Sequence, residues 1–184
     1  MTDRILRCIT RGILSGSALL VIFVVVACSG NEAQRFELLD QDQTNIDFVN
    51  EVVDKPDFNI FNYYNFYNGG GVSAGDINND GLVDLFFVGN EVGNRLYLNT
   101  GQFKFKDITK KAGVSGPSDS WSTGSTMVDI NGDNLLDIYV CQVDYKEKRG
   151  GNKLYINNGD GTFTEKAEEY GIDFTGYSTQ AVFF

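Results

Sequence analysis

Two nine-residue stretches hold the residues best suited to chemistry. They are Asp76-Ile-Asn-Asn-Asp-Gly-Leu-Val-Asp84 and, 53 residues later, Asp129-Ile-Asn-Gly-Asp-Asn-Leu-Leu-Asp137. In the first, Asp76, Asn78, Asp80 and Asp84 occupy positions 1, 3, 5 and 9. Alternate positions of a tight turn point their oxygens inward, and the backbone carbonyl of Leu82 adds a further donor. Every donor is a hard oxygen, which suits Ca2+ rather than zinc or copper. Gly81 at position 6 permits the sharp turn. The second loop offers Asp129, Asn131, Asp133, Asp137 and the carbonyl of Leu135. Its position 6 is Asn134, the non-glycine residue most tolerant of a left-handed backbone. An EF-hand is excluded: position 12, where a bidentate Glu is required, is Phe87 in one loop and Val140 in the other.

A single stretch of this kind also reads as an Asx-rich turn that binds nothing. Two in-phase copies between strand-like runs argue against that reading. Asn157-Asn-Gly-Asp-Gly-Thr-Phe163 lacks the alternating acids and predicts a hairpin turn instead.

Other chemistries are narrowed by what is missing. The 184 residues include no histidine, so neither a histidine-based nucleophile nor a histidine zinc site is available. Cys8, Cys28 and Cys141 have no metal-ligand spacing and make no disulfide framework. The formal net charge is −10; residues 1–27 carry Arg4, Arg7 and Arg11 against Asp3, leaving −12 on the remainder. Such a surface disfavours nucleic acid as a partner.

The loops are part of a larger duplication. Leu85-Phe-Phe-Val88 follows the first loop and Ile138-Tyr-Val140 the second. Asn94-Arg-Leu-Tyr-Leu-Asn99 recurs as Asn152-Lys-Leu-Tyr-Ile-Asn157. Phe105-Lys-Asp107 through Ala112-Gly-Val114 recurs as Phe163-Thr-Glu165 through Tyr170-Gly-Ile172. In the first unit this predicts four short strands, near Val72–Gly75, Leu85–Val88, Arg95–Leu98 and Phe103–Ile108. Four strands per repeat predict an all-β fold, a partial β-propeller of four-stranded blades, in preference to a β-sandwich, whose strand order need not repeat. The final segment Tyr177 to Phe184 aligns with Trp121 to Val128, one residue short of an acidic loop. The expectation is therefore a fragment, truncated at the start of a third calcium loop.

The first thirty residues read as an address. Three arginines precede an uncharged stretch from Gly12 to Ala27, and Val25-Val26-Ala27 leads into Cys28. That order predicts a signal helix and signal peptide over residues 1–27, with Cys28 resembling a lipobox cysteine that receives a diacylglyceryl group, and a tether over 28–35. A retained membrane anchor is the competing reading, but the stretch is short and broken by Ser15, Gly16 and Ser17. The chain is thus expected to be exported and lipid-anchored to a bacterial membrane, at the outer membrane or cell surface, with residues 36–184 forming the repeats.

D-x-N-x-D-G-x-x-D between strands, then N-x-L-Y-x-N and an N-x-G-D-G-T-F turn, resembles the FG-GAP/VCBS repeats of integrin-α-like propellers. Phe66-Tyr-Asn-Gly-Gly-Gly-Val72, Trp121-Ser-Thr-Gly124 and Phe105-Lys-Asp-Ile-Thr109 resemble the bacterial branch near cartilage acidic protein. Those proteins are often lipoproteins with about seven blades and a small C-terminal ASPIC/UnbV domain. The resemblance covers residues 36–184 and implies calcium ligands at the positions named above. It implies no family-wide activity.

Phe58 to Tyr67 interleaves aromatic residues with asparagine. Its sequence reads as a strand and turn packing rings into the core, with a sugar-stacking platform as the alternative. Trp121 and Cys141 read as core, and Lys146-Glu-Lys-Arg149 as a solvated loop. The functional expectation is a calcium-stabilised scaffold presenting loops to a protein or glycan, not an enzyme. The rival is a propeller-scaffold enzyme acting on polysaccharide, its activity in a missing C-terminal part. No carboxylate pair outside the loops favours that rival.

Overall fold

The computed structural model describes residues 36–146 and 148–184. The expected signal helix and signal peptide (residues 1–27), Cys28 and the expected tether lie outside the described residues. The chain divides into two units at Leu38, and the fold described is that of Leu39–Phe184. Among the described residues no helix is long and apolar enough to cross a membrane.

Short β-rich runs punctuated by Gly, Asn and Asp form two antiparallel meanders. The first sheet is β1 (Val72–Gly75), β2 (Asp84–Phe87), β3 (Arg95–Asn99) and β4 (Phe105–Asp107). The second is β5 (Ser122–Val128), β6 (Asp137–Gln142), β7 (Lys153–Asn157) and β8 (Phe163–Glu165). Strand order within each sheet follows the chain, so no strand crosses between sheets as a Greek-key sandwich requires. Registers correspond: Leu85 lies opposite Ala74 and Tyr97, and its equivalent Ile138 lies opposite Met127 and Tyr155. The expected β4 shortens to three residues because Gly101, Gln102 and Phe103 all take positive φ and close the hairpin.

Single helical turns follow each sheet. After α1 (Gln41–Thr44), capped by Asp40, come α2 (Thr109–Ala112) and α3 (Ala167–Tyr170). Asp107 Oδ1 accepts from Thr109 N, and Glu165 Oε1 accepts from Ala167 N, so equivalent carboxylates start both turns. Gly113 and Gly171, both left-handed, end them.

The main core lies between the two sheets. Phe86, Val88 and Leu96 meet Ile138, Val140, Tyr155 and Phe163, with Ile108, Ala112 and Val114 of the connection sealing the outer end. Full burial of each such side chain stabilises by roughly 1.5–3 kcal/mol. At the inner strands, Ser125 Oγ donates to Ser73 Oγ at 2.9 Å. The far face of the second sheet is covered by Ile172, Ala181 and Phe183, which pack on Tyr139, Cys141 and Ile156. β6 is therefore buried at all six positions, whereas in β2 Leu85 and Phe87 stay half-buried. Cys141 is core as expected, and burial pushes its thiol up to about 11.

Glycine lets the inner segments approach. A Cβ on Gly71 would stand 2.8 Å from Gly124 Cα, and one on Gly124 would run into the Thr179 carbonyl oxygen. Both obstacles are backbone. Gly124→Ala is expected to destabilise by about 1–3 kcal/mol, read as a lower urea midpoint. An unchanged midpoint would mean that the segments do not pack this closely.

The aromatic stretch departs from expectation. Residues 58–67 form turns, not a strand. Phe58, Tyr63 and Phe66 are buried around Trp121, while Phe61, Tyr64 and Tyr67 face solvent. Turn geometry, without period-two alternation, sends three of the six rings inward. The charged loop departs too. Lys146 Nζ donates to Asp57 O, and Lys148 Nζ lies 3.3 Å from Glu91 Oε1, over the Phe58 and Trp121 rings. The loop fastens the 51–58 segment down: Glu91 also accepts from Val53 N and Lys55 Nζ. Burial opposes ionisation of Glu91, but these donors outweigh it and hold its carboxyl below the ordinary range.

Candidate metal centre

The two acidic loops connect β1 to β2 and β5 to β6, at corresponding ends of the two sheets. Their hydrogen bonds repeat nearly atom for atom. In the first, Asp76 Oδ1 accepts from Asp80 N at 3.1 Å and Oδ2 from Gly81 N at 2.7 Å. Asn78 Oδ1 also accepts from Asp80 N, and Asp80 Oδ1 accepts from Leu82 N at 2.8 Å. In the second, Asp129 accepts from Gly132 N, Asp133 N and Asn134 N, Asn131 Oδ1 from Asp133 N, and Asp133 Oδ1 from Leu135 N. These are successive Asx turns, each acid closing the backbone behind it.

Two left-handed residues bend each loop. They are Asn79 (φ 59°) and Gly81 (φ 84°) in the first, Gly132 (φ 77°) and Asn134 (φ 66°) in the second. Asparagine and glycine have exchanged places at positions 4 and 6. Asn134 is therefore half of a swap, not an isolated departure, and both residue types are those that reach this region at least cost. The loops also touch: Asn79 Nδ2 donates to the Asn134 carbonyl at 3.0 Å.

Position 9 differs from the rest of the loop. Asp84 and Asp137 have no exposed surface. Asp84 Oδ2 accepts from Ile77 N at 3.0 Å, and its Oδ1 from Asn99 N at 2.7 Å. Asp137 does the same with Ile130 N and Asn157 N. Burial pushes both carboxyls above the ordinary Asp range. The two N–H donors pull the other way without prevailing, and the nearby acids of each loop add to the rise. Asp76 shows the converse. Partial desolvation works against its charge, but the N–H groups of Gly81 and Asp80 hold its carboxyl below the usual range.

Asparagines ending β3 and β7 complete the frame, a role not assigned from the sequence. Asn99 Nδ2 donates to Val83 O while its Oδ1 accepts from Gly101 N. Asn157 repeats both bonds with Leu136 O and Gly159 N, and also reaches across to Ile77 O of the first loop at 2.8 Å. The signal was present in the last Asn of the repeated N-x-L-Y-x-N motif. Alternation within a strand gave no reason to place it against the loop.

In kind, the donors suit a hard divalent cation. They are carboxylate and amide oxygens, with the Leu82 and Leu135 carbonyls uninvolved in closing the loops. Each carboxylate oxygen of Asp84 and Asp137 takes one N–H and keeps acceptor capacity. In arrangement, each loop is closed on its own backbone: Asn78 Nδ2 donates to Asp80 Oδ2 at 3.0 Å, and Asn131 Nδ2 to Asp133 Oδ2 at 2.9 Å. Among the described residues no three His, Cys, Asp or Glu side chains converge as a ready-made metal group.

Both loops fall within one stretch similar to a known repeat. Residues 76–140 match the FG-GAP-like repeat. That FG-GAP stretch opens on Asp76 and ends within β6, so it takes in β2 to β5 as well as both loops. No curated protein sequence matches the chain.

Proposed function

We propose that the chain is a calcium-binding FG-GAP propeller module, exported and lipid-anchored through Cys28, that serves as a binding scaffold for a protein or glycan. The observation carrying this reading is the recurrence of one hydrogen-bond frame in two acidic loops that touch each other. Asp76, Asn78, Asp80, Asp84 and the Leu82 carbonyl would hold one cation. Asp129, Asn131, Asp133, Asp137 and the Leu135 carbonyl would hold the other. Bound calcium supplies positive charge where clustered carboxylates repel, and so ties the end of one strand to the start of the next. The chain's own part is orientation: Asn99 and Asn157 fix the position-9 aspartates, and the Asn79 and Asn157 amides couple neighbouring loops. The two meanders with a shared core suit successive blades of a propeller. The export reading rests on the Arg-rich start and Cys28, and the scaffold reading on the FG-GAP-like stretch.

Thermal unfolding with and without calcium tests the cation. A ligand at a hundred times its Kd stabilises by about 2.7 kcal/mol per site, and each kcal/mol moves Tm by about 2–4 °C in a chain of this size. Calcium is expected to raise Tm by several degrees, and chelator to reverse the rise. A melt indifferent to both would sink the calcium reading.

A further inference from the structure

Away from the acidic loops, two adjoining hollows form one groove lined by both sheets. The first, about 1010 Å³, is lined by Arg95, Lys106, Asp107, Lys110, Lys111 and Ser115. The second, about 510 Å³, is lined by Lys110, Ser115, Pro117, Lys153, Tyr155 and Glu165. Lys110 and Ser115 belong to both, so the two are continuous, and each is of a size that accepts a ligand.

Five cations stand here against two carboxylates, on a chain whose net charge is −10. Arg95 Nε pairs with Asp107 Oδ2 at 3.5 Å, and Lys111 Nζ donates to Asp160 O. Among the described residues the ammonium groups of Lys106, Lys110 and Lys153 have neither an ion-pair nor a hydrogen-bond partner. Like charges held together without acceptors raise the local potential and favour an anion. The groove is also mixed in character. Asp107, Glu165 and Ser115 line it beside the lysines, and their oxygens can accept hydrogen bonds from a ligand. An acidic peptide brings anionic side chains for the lysines, but its donors for those two carboxylates are only the regularly spaced backbone N–H groups. A sugar acid brings both partners: anionic groups for the lysines and hydroxyl donors for the carboxylates.

We propose that this groove binds an acidic glycan, a partner class that rests on the binding-scaffold reading above. Fluorescence anisotropy of the whole chain in calcium, with labelled hyaluronate and chondroitin sulfate oligosaccharides, tests it. Wild type is expected to bind at least one of them and to ignore a neutral dextran oligosaccharide. The triple variant Lys106→Glu, Lys110→Glu, Lys153→Glu is expected to lose more than about tenfold in affinity while keeping the calcium-dependent rise in Tm. Lys166→Glu, outside the groove, is expected to bind as wild type does. The glycan assignment is overturned if neither acidic oligosaccharide binds, if the triple variant binds undiminished, or if polyglutamate of equal charge binds as tightly. A wild type whose melt ignores calcium would instead strike the calcium reading and leave the glycan result to stand or fall by the binding data, so the two failures are separable.

Discussion

Asp84→Ala is expected to destabilise the calcium-free chain by about 2–5 kcal/mol and to abolish calcium binding at the first loop. The stability loss follows from two orphaned donors. Ile77 N and Asn99 N both give their hydrogen bonds to this buried carboxylate, and a donor left without an acceptor costs about 1–3 kcal/mol. Asp80→Ala isolates the other role. Its carboxylate is exposed and accepts from Leu82 N and Asn78 Nδ2, all within the loop. Its loss is expected to change calcium-free stability by about 0.5 kcal/mol or less while still reducing the calcium-induced rise in Tm. Urea unfolding in chelator, followed by calorimetric calcium titration, separates the two effects. Equal stability of the two variants in chelator would show that position 9 is a ligand only, and that the clasp between loop and β3 is not a structural joint.

The second large effect is expected at Trp121. Its indole is 1% exposed, with Phe58 at 5.0 Å, Phe66 at 5.4 Å and Tyr63 at 5.6 Å between ring centroids. Trp121→Ala removes the centre of that cluster, and large-to-small changes of this kind cost about 3–5 kcal/mol. The 58–67 segment is attached to the sheets largely through these rings, so its backbone amides are expected to lose hydrogen-exchange protection before the sheets do. Trp121→Phe, which keeps an aromatic ring in place, should recover most of the loss. Uniform loss of protection in both regions would mean that the aromatic segment and the sheets unfold as one unit. That outcome would contradict a separately held cap.

The two positions mark different ways in which the ends of the sheets are held. At the acidic loops, the joint is polar: carboxylates and asparagines satisfy backbone N–H and C=O groups that a tight turn leaves without ladder partners. Around Trp121, the joint is apolar and aromatic, reinforced by Lys148 lying over two rings and pairing with Glu91.

Much of this was legible in the chain itself. The alternation of Asp and Asn at positions 1, 3 and 5 dictates successive Asx turns whatever the surroundings, because each side chain reaches backbone only two to five residues away. The order of strands within each meander is equally local, since the 53- to 58-residue repeat and short turns leave each strand no nearer partner than the next. Cys141 and Trp121 were readable as core from their neighbours in sequence.

Other features were settled only by tertiary packing. Whether Asp84 is a free ligand or a buried joint depends on Asn99 N, fifteen residues away and brought close by the β2–β3 pairing. The partial exposure of the 58–67 rings depends on which of them meet Trp121. Lys148 reads as solvated until the chain brings Glu91 and the Phe58 and Trp121 rings beneath it. The lysine groove depends on residues of both sheets that no spacing rule connects. Short-range hydrogen bonding is written in neighbouring residues, whereas burial and electrostatic potential depend on everything folded nearby, and so became visible only once the two sheets were packed together.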